Sequence, residues 1–198
     1  MTAGAKNSKI FIMERESRVK LKKKLFDLLN NQALKRGKFV LSSGKESSYY
    51  LDARVITLSP QGAYLAASII LDMIKGEDLD AAGGPTLGAD PILGALAALS
   101  YINNQPIKTF IVRKQAKEHG TGRQVEGPAL KKGDRVILLD DVATTGKAII
   151  EAKQALDKIG VIVRKAIVIV DRDEGAADNL AAAGLELESI FKIADFGL

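Results

Sequence analysis

Two adjacent carboxylates, Asp140 and Asp141, follow a short apolar run in this sequence and precede a small polar turn. The apolar run, 136–139, is typical of a strand that is buried on both faces. The turn, Thr144-Thr145-Gly146, leads into a helical pattern. Free backbone N–H groups and the positive end of a helix dipole would bind an anion at such a turn, and the threonine hydroxyls would add donors. The turn therefore predicts a phosphate site.

The two carboxylates would not bind that phosphate, because like charges repel. They suit the hydroxyl groups of a sugar attached to the phosphate, or a metal ion beside it. A Walker A loop is excluded, since it needs glycine where Asp141 stands and serine or threonine where Ala148 stands; the Gly-x-Gly-x-x-Gly fingerprint is also missing. An Asp-Asp pair alone is more often a solvated loop, but the whole string 136–148 indicates a sugar-phosphate site.

A second group of charged residues lies in a long polar segment, 113–127. Its potential cations, with three glycines among and after them, are Arg113, Lys114, Lys117 and His119. The segment is too polar and too rich in glycine to pack as a core element, so it predicts a mobile lid over a polyphosphate. His119 is the only histidine. A lone surface histidine is usually incidental, and only its basic neighbours favour a role here.

Two further loops contain residues that could contact a ligand. Arg172 follows a predicted strand and could present its planar guanidinium to a carboxylate, although Asp171 or Asp173 would be simpler partners for it. The glycine-rich stretch 83–88 would let the backbone approach a ligand closely. A tight turn without any ligand explains that stretch equally well.

Composition limits the classes of function. The 198 residues contain no cysteine, which excludes disulfides, thiolate catalysis and cysteine metal sites. There is no apolar run of about 18 residues, and the apolar run 10–13 is too short for a signal peptide, so we expect a cytoplasmic protein that does not enter membranes. The net charge of +5 suits a polyanionic small substrate. We expect no nucleic-acid partner, because no basic stripe with interleaved aromatics occurs.

The order of predicted elements indicates an α/β fold, with a mainly parallel twisted sheet flanked by helices. Strands alternate with helices through residues 60–170, and a helix (17–31) and two short strands (38–41 and 48–52) precede them. We therefore predict one compact domain with two parts, a helix and small hood in 1–58 and an α/β core in 59–198. The loops 83–88, 113–127, 140–146 and 171–174 should leave the carboxyl ends of strands and converge on one cleft.

Together these segments resemble the type I phosphoribosyltransferase family, and within it the orotate phosphoribosyltransferases. Residues 136–148 are similar to the family's motif for 5-phosphoribosyl 1-diphosphate (PRPP), and 113–120 are similar to the mobile catalytic loop of the orotate enzymes. The further matches are 84–91 with the pyrophosphate-contacting loop, 41–50 with the N-terminal hood and 171–174 with the base-binding turn. Many members have lysine where Ser42 stands, and a nearby cation such as Lys45 would have to replace it.

The resemblance implies Mg²⁺-dependent transfer of ribose 5-phosphate from PRPP to N1 of orotate, which gives orotidine 5′-monophosphate and pyrophosphate in pyrimidine biosynthesis. It assigns catalysis to Lys117, His119, Asp140 and Asp141. The residues that it assigns to PRPP are Arg113, Lys114, Lys117, His119, Asp140, Asp141, Val142, Ala143, Thr144, Thr145, Gly146, Lys147 and Ala148.

The same resemblance assigns orotate to Thr144 and Arg172, and pyrophosphate contact to Gly84, Pro85 and Thr86. Mg²⁺ would be held through the substrate, with Asp140 and Asp141 contributing directly or through water. It also implies a homodimer in which the mobile loop of each subunit serves the site of its neighbour.

Two other functions remain open at this point. A purine-type phosphoribosyltransferase would share the phosphate turn but would lack the Arg172 fork and the Lys-x-x-Lys-x-His pattern. A regulator without catalytic activity, using a basic surface on nucleic acid, need not keep the cations of the lid.

Overall fold

The computed structural model describes residues 17–40, 44, 46–114 and 124–198, and contains six α-helices and eight β-strands in those residues. The helices are α1 (Arg18–Leu28), α2 (Arg54–Thr57), α3 (Pro60–Met73), α4 (Asp90–Ile102), α5 (Lys147–Asp157) and α6 (Ala176–Ala182). The strands are β1 (Leu34–Val40), β2 (Glu46–Leu51), β3 (Ala81–Pro85), β4 (Lys108–Val112), β5 (Val125–Glu126), β6 (Arg135–Ala143), β7 (Ile162–Asp171) and β8 (Glu186–Lys192). A π-helical turn (Leu29–Ala33) extends α1, and a 3₁₀ turn (Ile193–Phe196) follows β8.

The central sheet has six strands in the order β5-β4-β3-β6-β7-β8. All neighbouring pairs are parallel except β4 and β5, which are antiparallel. Successive residues of β6 point to opposite faces, so Ile137 and Leu139 pack in the core that contains α1, α3 and α4, whereas Val136 and Leu138 pack in the core that contains α5 and α6. The predicted α/β fold with a mainly parallel sheet is confirmed.

The hood is a separate two-stranded antiparallel sheet formed by β1 and β2. It is tied to the C-terminal segment, because Arg36 Nη2 donates a hydrogen bond of 2.8 Å to the Phe196 carbonyl oxygen. Phe26 of α1 stacks on Phe196 with 4.7 Å between ring centroids. α1 thus shares a core with the sheet, and the division of the chain at residue 58 stays a prediction.

The structure differs from the predicted elements at three places near the site. β6 runs to Ala143, so Asp140 and Asp141 belong to the strand and not to a loop after it. The reason is that β7 stays paired alongside β6 as far as Asp171, opposite Ala143. Segment 113–127, predicted as a loop, contains the edge strand β5, which pairs with β4. The short helix α2 was not predicted. Ser42 and Lys45 lie outside the described residues. No helix among the residues described is long and apolar enough to cross a membrane.

Ser59-Pro60, a cap residue followed by proline, predicts a helix start, and this prediction is confirmed. α3 begins at Pro60, and Ser59 Oγ accepts a hydrogen bond of 3.1 Å from Gly62 N. Gly62 has no room for a side chain, because an added Cβ would lie 2.2 Å from the Ile56 carbonyl oxygen of α2. We expect Gly62→Ala to lower the free energy of unfolding by about 1–3 kcal/mol, the usual cost of overpacking.

Gly94 of α4 provides a matched control for that variant, because a Cβ added there would meet nothing within 4 Å. Gly94→Ala should raise the free energy of unfolding by up to about 1 kcal/mol through helix propensity alone. Urea unfolding followed by circular dichroism measures both changes. Equal stabilisation by the two alanines would contradict the assigned contact between α2 and α3.

Candidate active site

A cleft of about 540 Å³ opens at the carboxyl end of the parallel strands. A cavity of this size can hold a nucleotide-sized ligand. The residues that line it are Leu51, Asp52, Arg54, Thr86, Leu87, Gly88, Lys114, Asp141, Val142, Thr144 and Arg172. The four segments expected to converge each contribute at least one of these residues, and the hood supplies a wall that the sequence did not predict.

Of the acidic pair, Asp141 lines the cleft, whereas Asp140, beside it in β6, is not among the lining residues. Asp140 is buried, with 9% of its surface exposed, and its Oδ1 accepts a hydrogen bond of 2.9 Å from Asp141 N. Asp141 Oδ1 accepts one of 2.8 Å from Val142 N. Gly88 packs directly on both carboxylates, since a Cβ added to it would lie 2.3 Å from Asp141 Oδ1 and 2.4 Å from Asp140 Oδ1. The two side chains are therefore fixed by the strand and by the loop after β3.

This position makes the negative charge of the pair costly. Burial raises the pKa of Asp140 well above its ordinary value, and the charge of Asp141 raises that pKa further. Burial also raises the pKa of Asp141, while the positive charge of Arg54 opposes that rise. Asp90, at the start of α4, has its pKa raised by burial, and its Oδ1 is buried without a hydrogen-bond partner among the residues that the structure describes. A cation in the cleft would relieve this concentration of carboxylates.

The predicted anion turn is built as the sequence suggested. Gly146 has φ of +74°, and an added Cβ would lie 3.1 Å from Leu180 Cγ of α6, so glycine is needed there for two reasons. Asn179 Nδ2 donates a hydrogen bond of 2.9 Å to the Thr145 carbonyl oxygen and supports the turn from behind. The first backbone bond at the start of α5 runs from Ile150 N to Gly146 O, which leaves the preceding N–H groups available for an anion.

The predicted cations of the cleft have different surroundings. Lys114 lines the cleft. Arg113 Nη1 forms an ion pair of 3.0 Å with Glu126 Oε1 and is not among the lining residues. The side chain of Lys147 is 82% exposed, and its Nζ lies 3.8 Å from Glu151 Oε1. Lys117 and His119 lie outside the described residues.

Arg172 is held at the edge of the cleft by two contacts. Its Nε donates a hydrogen bond of 3.0 Å to Tyr49 Oη, and its Nη2 forms an ion pair of 2.7 Å with Glu174 Oε1. The two alternative partners are engaged elsewhere: Asp171 Oδ1 accepts from Asp173 N at 3.0 Å, and Asp173 Oδ1 accepts from Lys192 Nζ at 3.0 Å. Arg172 is therefore paired with Tyr49 and Glu174 and with neither aspartate, and it lines the cleft.

Sequence reasoning missed the wall that the hood supplies. Arg54 Nε and Nη2 donate to the two carboxylate oxygens of Asp52 at 2.8 Å and 3.0 Å, and this pair lines the cleft beside Leu51. The hydrogen bonds from Arg54 lower the pKa of Asp52. An Asp-x-Arg sequence directly after a strand was the available signal. Of the three residues assigned to pyrophosphate contact, Gly84 and Pro85 are buried in β3, and Thr86 lines the cleft together with Leu87 and Gly88.

Comparison with known proteins identifies the family. The model of the phosphoribosyl transferase domain matches residues 62–198. The chain belongs to the phosphoribosyltransferase family. The match begins within α3 and covers the parallel sheet, the acidic pair, the anion turn and Arg172.

Similar proteins within this family carry a more specific name. The orotate phosphoribosyltransferase of Nostoc sp. is 45% identical over 88% of this chain and 84% of its own. That of Aquifex aeolicus is 42% identical over 88% of this chain and 96% of its own. A crystal structure of the Mycobacterium tuberculosis orotate phosphoribosyltransferase in complex with PRPP has a TM-score of 0.75 and 32% identity, and covers 90% of this chain and 99% of its own. These findings confirm that the chain is an enzyme of the predicted kind.

The residues of this phosphoribosyltransferase also fit a divalent cation. Among the residues that the structure describes, no group of three or more histidine, cysteine, aspartate or glutamate side chains could hold a metal ion. Mg²⁺ is commonly bound by only one or two carboxylates together with substrate phosphates and water. Asp140 and Asp141 supply such a pair of adjacent carboxylates at the end of β6.

Proposed function

We propose that this enzyme transfers ribose 5-phosphate from PRPP to N1 of orotate. The observation that carries the proposal is that Asp141, Thr144 and Arg172 line one cleft, so a sugar site, a phosphate site and a fork for a carboxylate are adjacent. The names of the similar proteins support orotate as the base, and the PRPP in the mycobacterial structure supports the donor.

In this proposal, each part of PRPP binds to residues whose charge or hydrogen-bonding groups complement it. The turn 144–148 holds the 5-phosphate through backbone N–H groups and the hydroxyls of Thr144 and Thr145. Asp140 and Asp141 accept hydrogen bonds from the ribose hydroxyls and stabilise positive charge on the ring. Thr86 and the backbone around it contact the diphosphate, while Gly84 and Pro85 position Thr86.

The reaction breaks the bond between C1 of the ribose and the diphosphate oxygen and forms a bond from C1 to N1 of orotate. The bonding electrons leave with pyrophosphate, and the sugar passes through an oxocarbenium-like state. Orotate reacts as its N1 anion, so no side chain needs to remove a proton during transfer. Thr144 and Arg172 hold the base, the latter through the orotate carboxylate.

Asp140 and Asp141, together with the substrate phosphates, would hold Mg²⁺, which would supply countercharge to the leaving group. Lys114 lines the cleft and can add to that charge directly. Arg113 would first have to exchange its ion pair with Glu126 for the diphosphate.

Lys117 and His119 complete the proposed lid. Lys117→Ala should lower kcat by roughly a hundredfold, since one lost donor to a developing negative charge costs on the order of 3 kcal/mol. Steady-state assays of nucleotide formation measure this change. Exposed Lys158, beyond the end of α5, provides the matched control, Lys158→Ala. Wild-type turnover in Lys117→Ala would rule out the role of the lid.

We also propose a homodimer in the cytoplasm, with the lid of each subunit acting on the site of the other. Mixing Lys117→Ala subunits with Asp140→Asn subunits should then recover part of the activity, because one of the two sites in a mixed dimer receives an intact lid and an intact acidic pair. No recovery after verified subunit exchange would contradict the shared lid.

The decisive experiment for the function compares bases. The protein is mixed with PRPP and Mg²⁺, together with orotate in one reaction and hypoxanthine in the other, and nucleotide formation is followed. We expect orotidine 5′-monophosphate and pyrophosphate in equal amounts, and no product from hypoxanthine. Inosine monophosphate formation without orotidine monophosphate would instead establish a purine-type enzyme.

A further inference from the structure

The side chain of Tyr49, in β2 of the hood, contacts Arg172. β2 alternates between exposed and half-buried positions, so Ser47, Tyr49 and Leu51 share the inward face. Ser47 Oγ donates to the Tyr49 carbonyl oxygen at 2.8 Å and accepts from Tyr49 N at 3.3 Å. Both bonds fix the backbone at Tyr49 and hence the direction of its ring.

The contact with Arg172 uses both the ring and the hydroxyl of Tyr49. The guanidinium carbon lies 4.8 Å from the ring centroid, and Nε donates to Tyr49 Oη at 3.0 Å. On the other side, Glu174 Oε1 lies 2.7 Å from Nη2. These contacts leave the side chain of Arg172 only 11% exposed. Its Nη1 makes no hydrogen bond to any residue in the described part of the chain and is free for a ligand.

We propose that Tyr49 is a positioning residue that sets the orientation of the Arg172 guanidinium and thereby the selectivity for a carboxylate-bearing base. This inference rests on the proposed function. A planar guanidinium recognises a carboxylate well only when its plane is fixed, and an arginine free to rotate would lose entropy on binding. The hood contributes to base selection through the hydrogen bond between Tyr49 and Arg172, while Arg172 supplies the positive charge that would bind the carboxylate.

Tyr49→Phe tests the inference because it removes the hydroxyl and keeps the ring in β2. The loss of one hydrogen bond to a charged group should raise KM for orotate about three- to tenfold. KM for PRPP should not change. The ratio of kcat/KM for orotate to that for uracil, which lacks the carboxylate, should fall by the same factor. Tyr101→Phe makes the same chemical change at a tyrosine that is 76% exposed on α4, and should alter nothing.

Three outcomes are distinguishable in this experiment. A selective rise in KM for orotate with a matching fall in the orotate-to-uracil ratio supports the positioning role. Unchanged kinetics in Tyr49→Phe, or an equal rise in KM for both substrates, overturns it and leaves the proposed function intact. No orotate turnover by the wild-type protein overturns the proposed function and the inference with it. Thermal unfolding of each variant checks that the hood stays folded.

Discussion

The double variant Asp140→Asn, Asp141→Asn is expected to lose roughly a thousandfold or more of its turnover and to become more stable at neutral pH. Turnover falls because the two carboxylates would no longer hold the ribose and the cation, and each lost electrostatic contact can cost a hundredfold or more. The fold should remain, because asparagine can still accept the hydrogen bonds from Asp141 N and Val142 N through its side-chain oxygen. Loss of function and gain of stability should therefore appear together.

The gain in stability follows from the direction of the pKa shifts. An unfolded chain releases both protons near the ordinary value of 3.8, whereas the folded protein retains them to higher pH. The folded protein therefore binds more protons above that value, so its free energy of unfolding falls as the pH rises through the two raised pKa values. Asparagine does not ionise in this pH range. The free energy of unfolding of the variant should therefore not show this decrease with rising pH.

Thermal unfolding at pH 5 and at pH 8, without ligand or metal, measures the effect. The difference in Tm between the variant and the wild-type protein should be larger at pH 8. Asp27→Asn, at an exposed carboxylate of α1, is the control and should show no such dependence. A double variant that keeps its activity would contradict the placement of the ribose. A double variant less stable than wild type at pH 8 would contradict the charge argument.

Arg172→Ala should raise KM for orotate by roughly a hundredfold and leave KM for PRPP nearly unchanged. A paired, charge-assisted hydrogen bond to a carboxylate is worth about 3 kcal/mol, which corresponds to that factor. The variant should also lose its preference for orotate over uracil, because uracil does not carry the carboxylate. Substrate-saturation kinetics for both bases and for PRPP measure these effects.

Arg164→Ala is the matched control, since Arg164 is an exposed arginine at the opposite end of the same strand, β7. It should behave as wild type. If Arg172→Ala raises KM for both substrates equally, Arg172 supports the cleft as a whole through Glu174 and Tyr49 and does not select the base. Arg172→Lys should rescue little, because an ammonium group cannot reproduce the planar fork.

Local sequence signals were enough for the elements that begin or end at a distinctive residue. Ser59-Pro60 located the start of α3, and the apolar run before Asp140 together with Gly146 located the connection from β6 to α5. These signals work because one residue provides the cap, the fixed φ or the left-handed conformation that the turn requires. The predicted convergence of loops also held, since parallel strands place their carboxyl ends at one edge of the sheet.

Structural features that depend on contacts between residues distant in the sequence could not be predicted from such local signals. β6 continues through Asp140 and Asp141 because β7 is long enough to pair with them, and no property of the two aspartates reveals that length. The contact between Tyr49 and Arg172 joins residues 123 positions apart. Asp52 and Arg54 line the same cleft as Thr86 and Asp141, which are distant from them in the sequence. The assignments of individual residues to PRPP and orotate stay predictions until the variants are measured.

The inclusion of the acidic pair in β6 has a consequence for comparing ligand-free and ligand-bound crystals. Asp140 and Ala143 are in register with Val168 and Asp171 of β7, so Asp141, which lies between them, cannot shift without displacing the strand beside it. β6 and β7 thus give a natural frame for superposition. In that frame, differences in the positions of Tyr49 or Lys114 would report rearrangement of the cleft on ligand binding, separately from any movement of the acidic pair.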